Sequence, residues 1–205
     1  MPEVNGRLVL ASASAIRRQL LDGAGLPCEI EPAAIDERAA MAGMLSSSPP
    51  LPPAGVAGRL AELKALDVAG RRDPKAWVIG ADQTLELDGE LLTKAADAEG
   101  GRAVLQRMRG RTHWLHSGVA LAHERRVVWS TVGSAALSVR EFTPAWLETY
   151  LQMAGDALTR SVGAYQLEGL GVQLFERIEG DYFTILGLPL LELLAALRER
   201  GVIAC

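Results

Sequence analysis

An α/β fold on a mixed β-sheet is what this sequence predicts, and three observations lead there. Short apolar runs that read as strands alternate with capped, helix-forming segments. Several of the strand runs come in hairpins, most clearly around Asp88-Gly89. Helices and hairpins are interleaved without an internal repeat, which favours a mixed sheet over a regular doubly wound one.

In order along the chain, Leu8 to Leu10 reads as a short buried strand, turning through Ala11 to Ser14 into a helix from about Ala15 to Ala24 that Gly25 stops. Residues 39 to 58 hold Ser48-Pro49-Pro50 and Pro52-Pro53, which predicts a mobile loop that could act as a lid. A helix follows over about Val56 to Ala69. The apolar run from Trp77 to Ile79 opens a strand through Leu87, and Asp88-Gly89 supplies the positive φ angles that return Glu90 to Leu92 against it. Asp97 caps a helix to Met108. Strands are expected over about Thr112 to Ala122, Arg126 to Val132 and Ala135 to Val139. Thr143-Pro144 caps and starts a helix through about Met153; a strand pair near Gly171 to Ile178 and a helix from Pro189 to Arg200 complete the chain.

With 205 residues, 49% of them apolar, the chain can bury a substantial core as one domain over residues 1–205. A net charge of −4 argues against a nonspecific nucleic-acid binder, so any phosphate site must be local. No apolar stretch reaches the roughly 18 residues of a membrane span, since Gly187, Pro189 and Glu192 interrupt Ile185 to Leu197. Cys28 and Cys205 form no paired pattern and no charged-then-apolar leader is evident, so a cytoplasmic protein is expected.

Candidate chemistry begins on the first helix. An advance of about 100° per residue puts Arg17 on the arc of Ile16, Leu20, Leu21 and Ala24, whereas Arg18 lies outside it with Asp22 as a surface partner. An inward guanidinium needs an anionic partner. Free amides at a helix start favour anions, so Ser12, Ser14 and Arg17 suit a phosphate; alternatively Ser14 only caps the helix and Arg17 meets a structural carboxylate. Asp36-Glu37 either starts a helix or helps hold Mg²⁺ beside phosphates. Lys64, about 40° from Leu60 at the edge of its helix's apolar face, and Lys94, after the hairpin, are either solvated stems or point charges for phosphates. Asp82 ends an apolar strand in small residues that expose a carboxylate. His113 and His116 project to opposite faces of a strand, so they make no zinc site with His123. No nucleophile elbow or Cys-His pair supports covalent catalysis.

Taken in order, Leu10 to Leu21, Ile35-Asp36-Glu37, Arg59 to Ala65, Ile79 to Gln83, Gly110-Arg111-Thr112-His113 through Leu121, and Gly169 through Leu190 resemble the Maf family of nucleoside triphosphate pyrophosphatases over almost the whole chain. The resemblance implies an elongated mixed sheet with flanking helices in two lobes around a cleft, commonly a homodimer. It also implies a cytoplasmic enzyme, dependent on a divalent cation such as Mg²⁺ or Mn²⁺, that cuts a nucleoside triphosphate between its α and β phosphates. By matched motif, Asp82 is the catalytic acid/base or a metal ligand, beside Ser12, Arg17, Glu37, Lys64 and Lys94. The family's link to cell-division arrest implies a second reading, a nucleotide sensor restraining septum formation. Two family prolines are replaced by Ala15 and Ala95. Gln83 and Glu168-Gly169 resemble the branch acting on 7-methyl-GTP, where the dTTP- and UTP-directed branch has threonine and Gln-Gly. A carboxylate accepts both the N1–H and the exocyclic amine of guanine, so Glu168 and Gln83 become candidates for base recognition.

Overall fold

Leu8–Leu10 (β1) runs parallel to Trp77–Leu87 (β3) and to the two-residue Glu29–Ile30 (β2), and these pairings set the order of the whole sheet. The computed structural model describes residues 5–204; Cys205, whose pairing was considered above, lies outside them. Seven strands follow the order β2-β1-β3-β5-β6-β7, with Glu90–Leu92 (β4) antiparallel on β3, Thr112–His123 as β5, Arg126–Val139 as β6 and Phe175–Glu179 (β7) antiparallel on β6. The sheet is mixed, as the hairpins predict.

Residues cluster into two compact units. The first comprises residues 1–83, 116–133 and 181–205; the second comprises 84–115 and 134–180. Within the first unit, the helices Ala15–Gly23 (α1), Glu37–Leu45 (α2) and Pro53–Arg71 (α3) accompany β1 and the start of β3. The short Tyr182–Ile185 (α7) and Leu190–Glu199 (α8) close it. Within the second, Ala98–Met108 (α4), Pro144–Ala154 (α5), Ala157–Arg160 (α6) and a 3-10 turn at Leu170–Leu174 surround the remaining strand residues.

Strand alternation divides the core of the first unit. Leu8, Leu10, Ile79, Ala81, Val119 and Leu121 face Leu21 of α1, Leu193 and Leu197 of α8, and Leu188 in the turn before α8. Val9, Ala11, Val78, Ala120 and Ala122 face Ala61, Ala65 and Val68 of α3. Each fully buried leucine on these faces stabilises the fold by about 1.5–3 kcal/mol relative to exposure. The α3 face is built of small residues because that helix lies close: a Cβ on Gly80 would stand 2.1 Å from the Ala61 carbonyl oxygen, and one on Gly118 would stand 2.3 Å from the carbonyl oxygen of Ala57. The second unit is organised around Leu85, Leu87, Leu105, Met108, Leu137 and Leu174, all fully buried.

Local signals place most elements correctly. Asp88 and Gly89 have φ of 53° and 82°, as a two-residue hairpin with the favoured twist requires. Ser14, Asp97 and Thr143 accept hydrogen bonds from the first turns of α1, α4 and α5.

Four expectations are corrected. Residues 39–45, expected in a mobile loop, belong to helix α2, because Asp36 accepts from Ala39 N at 2.9 Å and an alanine-rich run follows. The prolines are confined to the link before α3, and Pro53 occupies its first turn, where a missing N–H costs nothing. The strands expected on either side of Gly133 are one, β6. Its glycine marks a close approach, since a Cβ there would meet Thr184 Oγ1 at 2.6 Å. The strand pair near Gly171 is a 3-10 turn and the single strand β7. The elements β2, α6 and α7 are too short to be announced by periodicity.

Candidate active site

Strand β1 ends beside Ile79 of β3, with Ala11 N donating to Ile79 O at 2.8 Å, and the polar residues gather where β3 runs on past that end. The space beyond the carboxyl end of a parallel strand, here β1, is where open α/β sheets hold ligands.

Asp82 follows Val78 and Gly80 on the α3 side of β3. Because Gly80 has no side chain, α3 approaches near enough for Lys64 Nζ to reach Asp82 Oδ1 at 2.5 Å. The same ammonium lies 3.0 Å from Glu37 Oε1, at the first position of α2. The lysine and aspartate are almost fully buried whereas half of the Glu37 side chain is exposed, so the cluster opens to solvent on its glutamate side. Removing Lys64 would leave the buried Asp82 charge without its ammonium, a loss of the kind that costs about 3–5 kcal/mol.

Arg17 is the second feature. Its Nε donates to Gly187 O at 2.8 Å, and one terminal nitrogen donates to Ala81 O at 2.9 Å and Ser12 Oγ at 3.1 Å. The expected anionic partner is replaced by neutral acceptors: two carbonyls and a hydroxyl. Burial works against the charge while Asp82 first, and Glu37 after it, favour it. A guanidinium in this position stays protonated. Positive charge is therefore stored beside Asp82 and held by neutral groups, an arrangement suited to an incoming anion. Ser14 both caps α1, accepting from Arg17 N at 3.4 Å, and donates its own amide to Ser12 Oγ at 3.3 Å, so capping and the anion-facing turn coexist. Arg18 pairs with Asp22 on the surface, as the helix phase predicts.

Gln83 points to the opposite side of β3 from Asp82. Its Nε2 donates to Ser117 Oγ at 3.0 Å, Ile185 O at 2.9 Å and Thr184 O at 3.3 Å. Its amide nitrogen is thus engaged within the first unit, and the end it offers to any base is Oε1. Ser117 and Thr184 went unnoticed in the sequence; the available signal was a serine inside the apolar run of β5 and an Asp181 cap three residues before Thr184. Lys94 and Glu168 are exposed residues of the second unit. In that unit His113, fully buried, meets the Tyr165 hydroxyl at 2.8 Å through Nε2, three residues before Glu168. Burial lowers the pKa of His113 to about 4 and raises that of Tyr165.

His123 stacks on Trp77 at 4.1 Å, and among the described residues no group of three His, Cys, Asp or Glu is placed to hold a metal ion. Two carboxylates nevertheless converge on one ammonium. That donor set fits a hard divalent cation of the kind that takes one or two carboxylates and completes its shell with water and substrate phosphates. Burial pushes the Cys28 thiol up to about 11, away from the range of activated cysteines.

The family pattern described as Maf-like protein matches residues 7–200. This chain belongs to the Maf family. Similar curated proteins include the nucleoside triphosphate pyrophosphatases of Nitrobacter winogradskyi, 52% identical over 96% of this chain and 95% of that one, and of Caulobacter vibrioides, 49% identical over 96% of each. The 7-methyl-GTP pyrophosphatase of Mesorhizobium japonicum is 48% identical over 96% of this chain and 98% of its own. The sequence resemblance to Maf proteins is thereby established over the span that carries β1 through α8. No helix among the described residues is long and apolar enough to cross a membrane.

Proposed function

We propose that this Maf-family chain is a nucleoside triphosphate pyrophosphatase that hydrolyses the α–β anhydride, giving a nucleoside monophosphate and pyrophosphate, and so clears unwanted nucleotides from the pool. The single observation that carries the proposal is the Glu37–Lys64–Asp82 cluster next to a buried Arg17 whose hydrogen bonds all go to neutral acceptors.

Phosphoanhydride cleavage asks for positioning and charge neutralisation more than for covalent chemistry. Ser12 and Arg17, at the start of α1, receive phosphate oxygens. Lys64 neutralises charge that develops on the anhydride, and Lys94 is assigned the same task. Asp82 orients the attacking water and takes its proton, which a carboxylate within hydrogen-bond reach can do. Glu37 and Asp82 would hold the divalent cation, Mg²⁺ or Mn²⁺, which when bound supplies charge neutralisation at the phosphates and lowers the pKa of water.

Glu168 is assigned to base reading. A carboxylate accepts two adjacent donors of a guanine edge, and the 7-methyl-GTP name carried by some relatives supports that base over uracil. The substrate is accordingly a guanine-type triphosphate such as 7-methyl-GTP, turned over by a cytoplasmic homodimer. Incubation with UTP, dTTP, GTP and 7-methyl-GTP, each with Mg²⁺ and with Mn²⁺, and a pyrophosphate readout tests this. Metal-dependent pyrophosphate release is expected with the methylated guanine nucleotide fastest. Saturable binding without release would overturn it in favour of a sensor.

A further inference from the structure

We infer that Ser117 is a positioning residue for the pyrophosphatase reaction: through Gln83 and the carbonyl of Thr184 it holds Asp82 and Arg17 in register. The inference rests on the roles given above to those two residues.

The structure has a closed bracket around Asp82. On one side of it, Arg17 bonds Ala81 O and Gly187 O. On the other, Gln83 bonds Ile185 O and Thr184 O. The segment from Asp181 to Gly187 is therefore bolted to β3 twice, immediately before and immediately after the catalytic aspartate. It is stiffened internally, because Asp181 caps Thr184 N at 2.7 Å and Gly187 N donates to Thr184 O at 3.0 Å. Gly187 takes a φ of +95°, which presents its carbonyl to Arg17, and a Cβ there would stand 3.3 Å from the guanidinium.

Ser117 decides how the bracket is wired. It is fully buried on β5, on the same sheet face as Gln83, and its hydroxyl donates to Thr184 O at 2.7 Å. Having spent its one proton there, Oγ can only accept, and it accepts from Gln83 Nε2 at 3.0 Å. Two carbonyls and this oxygen fix the orientation of the amide, since turning it over would set Oε1 against three acceptors. Strand alternation then explains the division of labour. Asp82 faces α3 and the substrate side, and Gln83 faces α7, where its amide nitrogen secures the strand.

The test is Ser117→Ala, assayed for pyrophosphate release per folded molecule with UTP, GTP and 7-methyl-GTP. A shift of about 1 Å in a reacting group can cost about 100-fold. The expected result is a fall in kcat of about 10- to 100-fold that is the same for every base, with KM and substrate order held. Val119→Ala, a fully buried truncation two residues on and on the same face, serves as the comparison and should lower stability while leaving kcat unchanged. An unchanged kcat in Ser117→Ala, a loss confined to one base, or an equal loss in Val119→Ala overturns the inference while leaving the pyrophosphatase reading intact. Absence of pyrophosphate release from the unsubstituted protein removes both.

Discussion

Gly80→Ala is a one-carbon change that should damage stability and catalysis together. The added Cβ would lie 2.1 Å from the Ala61 carbonyl oxygen, 2.7 Å from Ala65 N and 2.8 Å from its Cβ. Ordinary contact begins near 3.4 Å, so strand and helix must separate by about 1.3 Å, the difference between that value and 2.1 Å. No rotamer change relieves the clash, because its first two partners are backbone. Overpacking of this kind costs about 1–3 kcal/mol, with backbone contacts at the upper end. The same movement carries Lys64 away from Asp82, now 2.5 Å apart, and displacement on that scale lowers turnover by about 100-fold. Urea unfolding gives the first quantity, and pyrophosphate release at saturating nucleotide under conditions where the variant is fully folded gives the second. A variant within about 0.5 kcal/mol of the parent and with full kcat would refute the claim that the close approach of α3 assembles the site.

Three further outcomes are expected. Asp82→Asn should fold, since an amide can still accept from Lys64, yet lose pyrophosphate release by at least about 100-fold; near-normal turnover in a coupled phosphate assay would remove Asp82 from the mechanism. Glu168→Gln should narrow the preference for 7-methyl-GTP over UTP by about 10-fold through kcat/KM, and an untouched ratio would end its base-reading role. His113 bears on stability. Its folded-state pKa of about 4 lies below its unfolded value near 6.5, so the unfolded chain binds the extra proton between those pH values. Its contribution is complete above about pH 6.5 and falls by up to about 3 kcal/mol as pH drops toward 4. Urea melts at pH 7 and 5 should show that loss diminished in His113→Gln, and an identical pH dependence in both proteins would contradict it.

Much of this protein is written locally. The β1 turn into α1, the Asp88-Gly89 hairpin and the caps at Asp97 and Thr143 depend on residues within one turn of each other, so adjacent sequence suffices to determine them. The same holds for the helix phase that turns Arg17 inward and Arg18 outward. Where local reading failed, at α2, a cluster of prolines in the following link outweighed an alanine-rich segment with its own aspartate cap. The motifs also named Glu37, Lys64 and Asp82, which the fold brings together, and Arg17 beside them.

What those residues touch was decided by tertiary structure. Arg17 takes its acceptors from positions 64 and 170 residues away, at Ala81 and Gly187, and neither is a carboxylate. A backbone carbonyl leaves no mark in sequence, so the expectation of a charged partner had nothing to correct it. Lys64 reaches Asp82 only because Gly80 lets two backbones meet, and a glycine in a strand does not say what lies over it. Alternation along β3 already placed Asp82 and Gln83 on opposite faces. That one face holds α3 and its lysine, and the other the carbonyls of Thr184 and Ile185, depends on packing between segments a hundred residues apart.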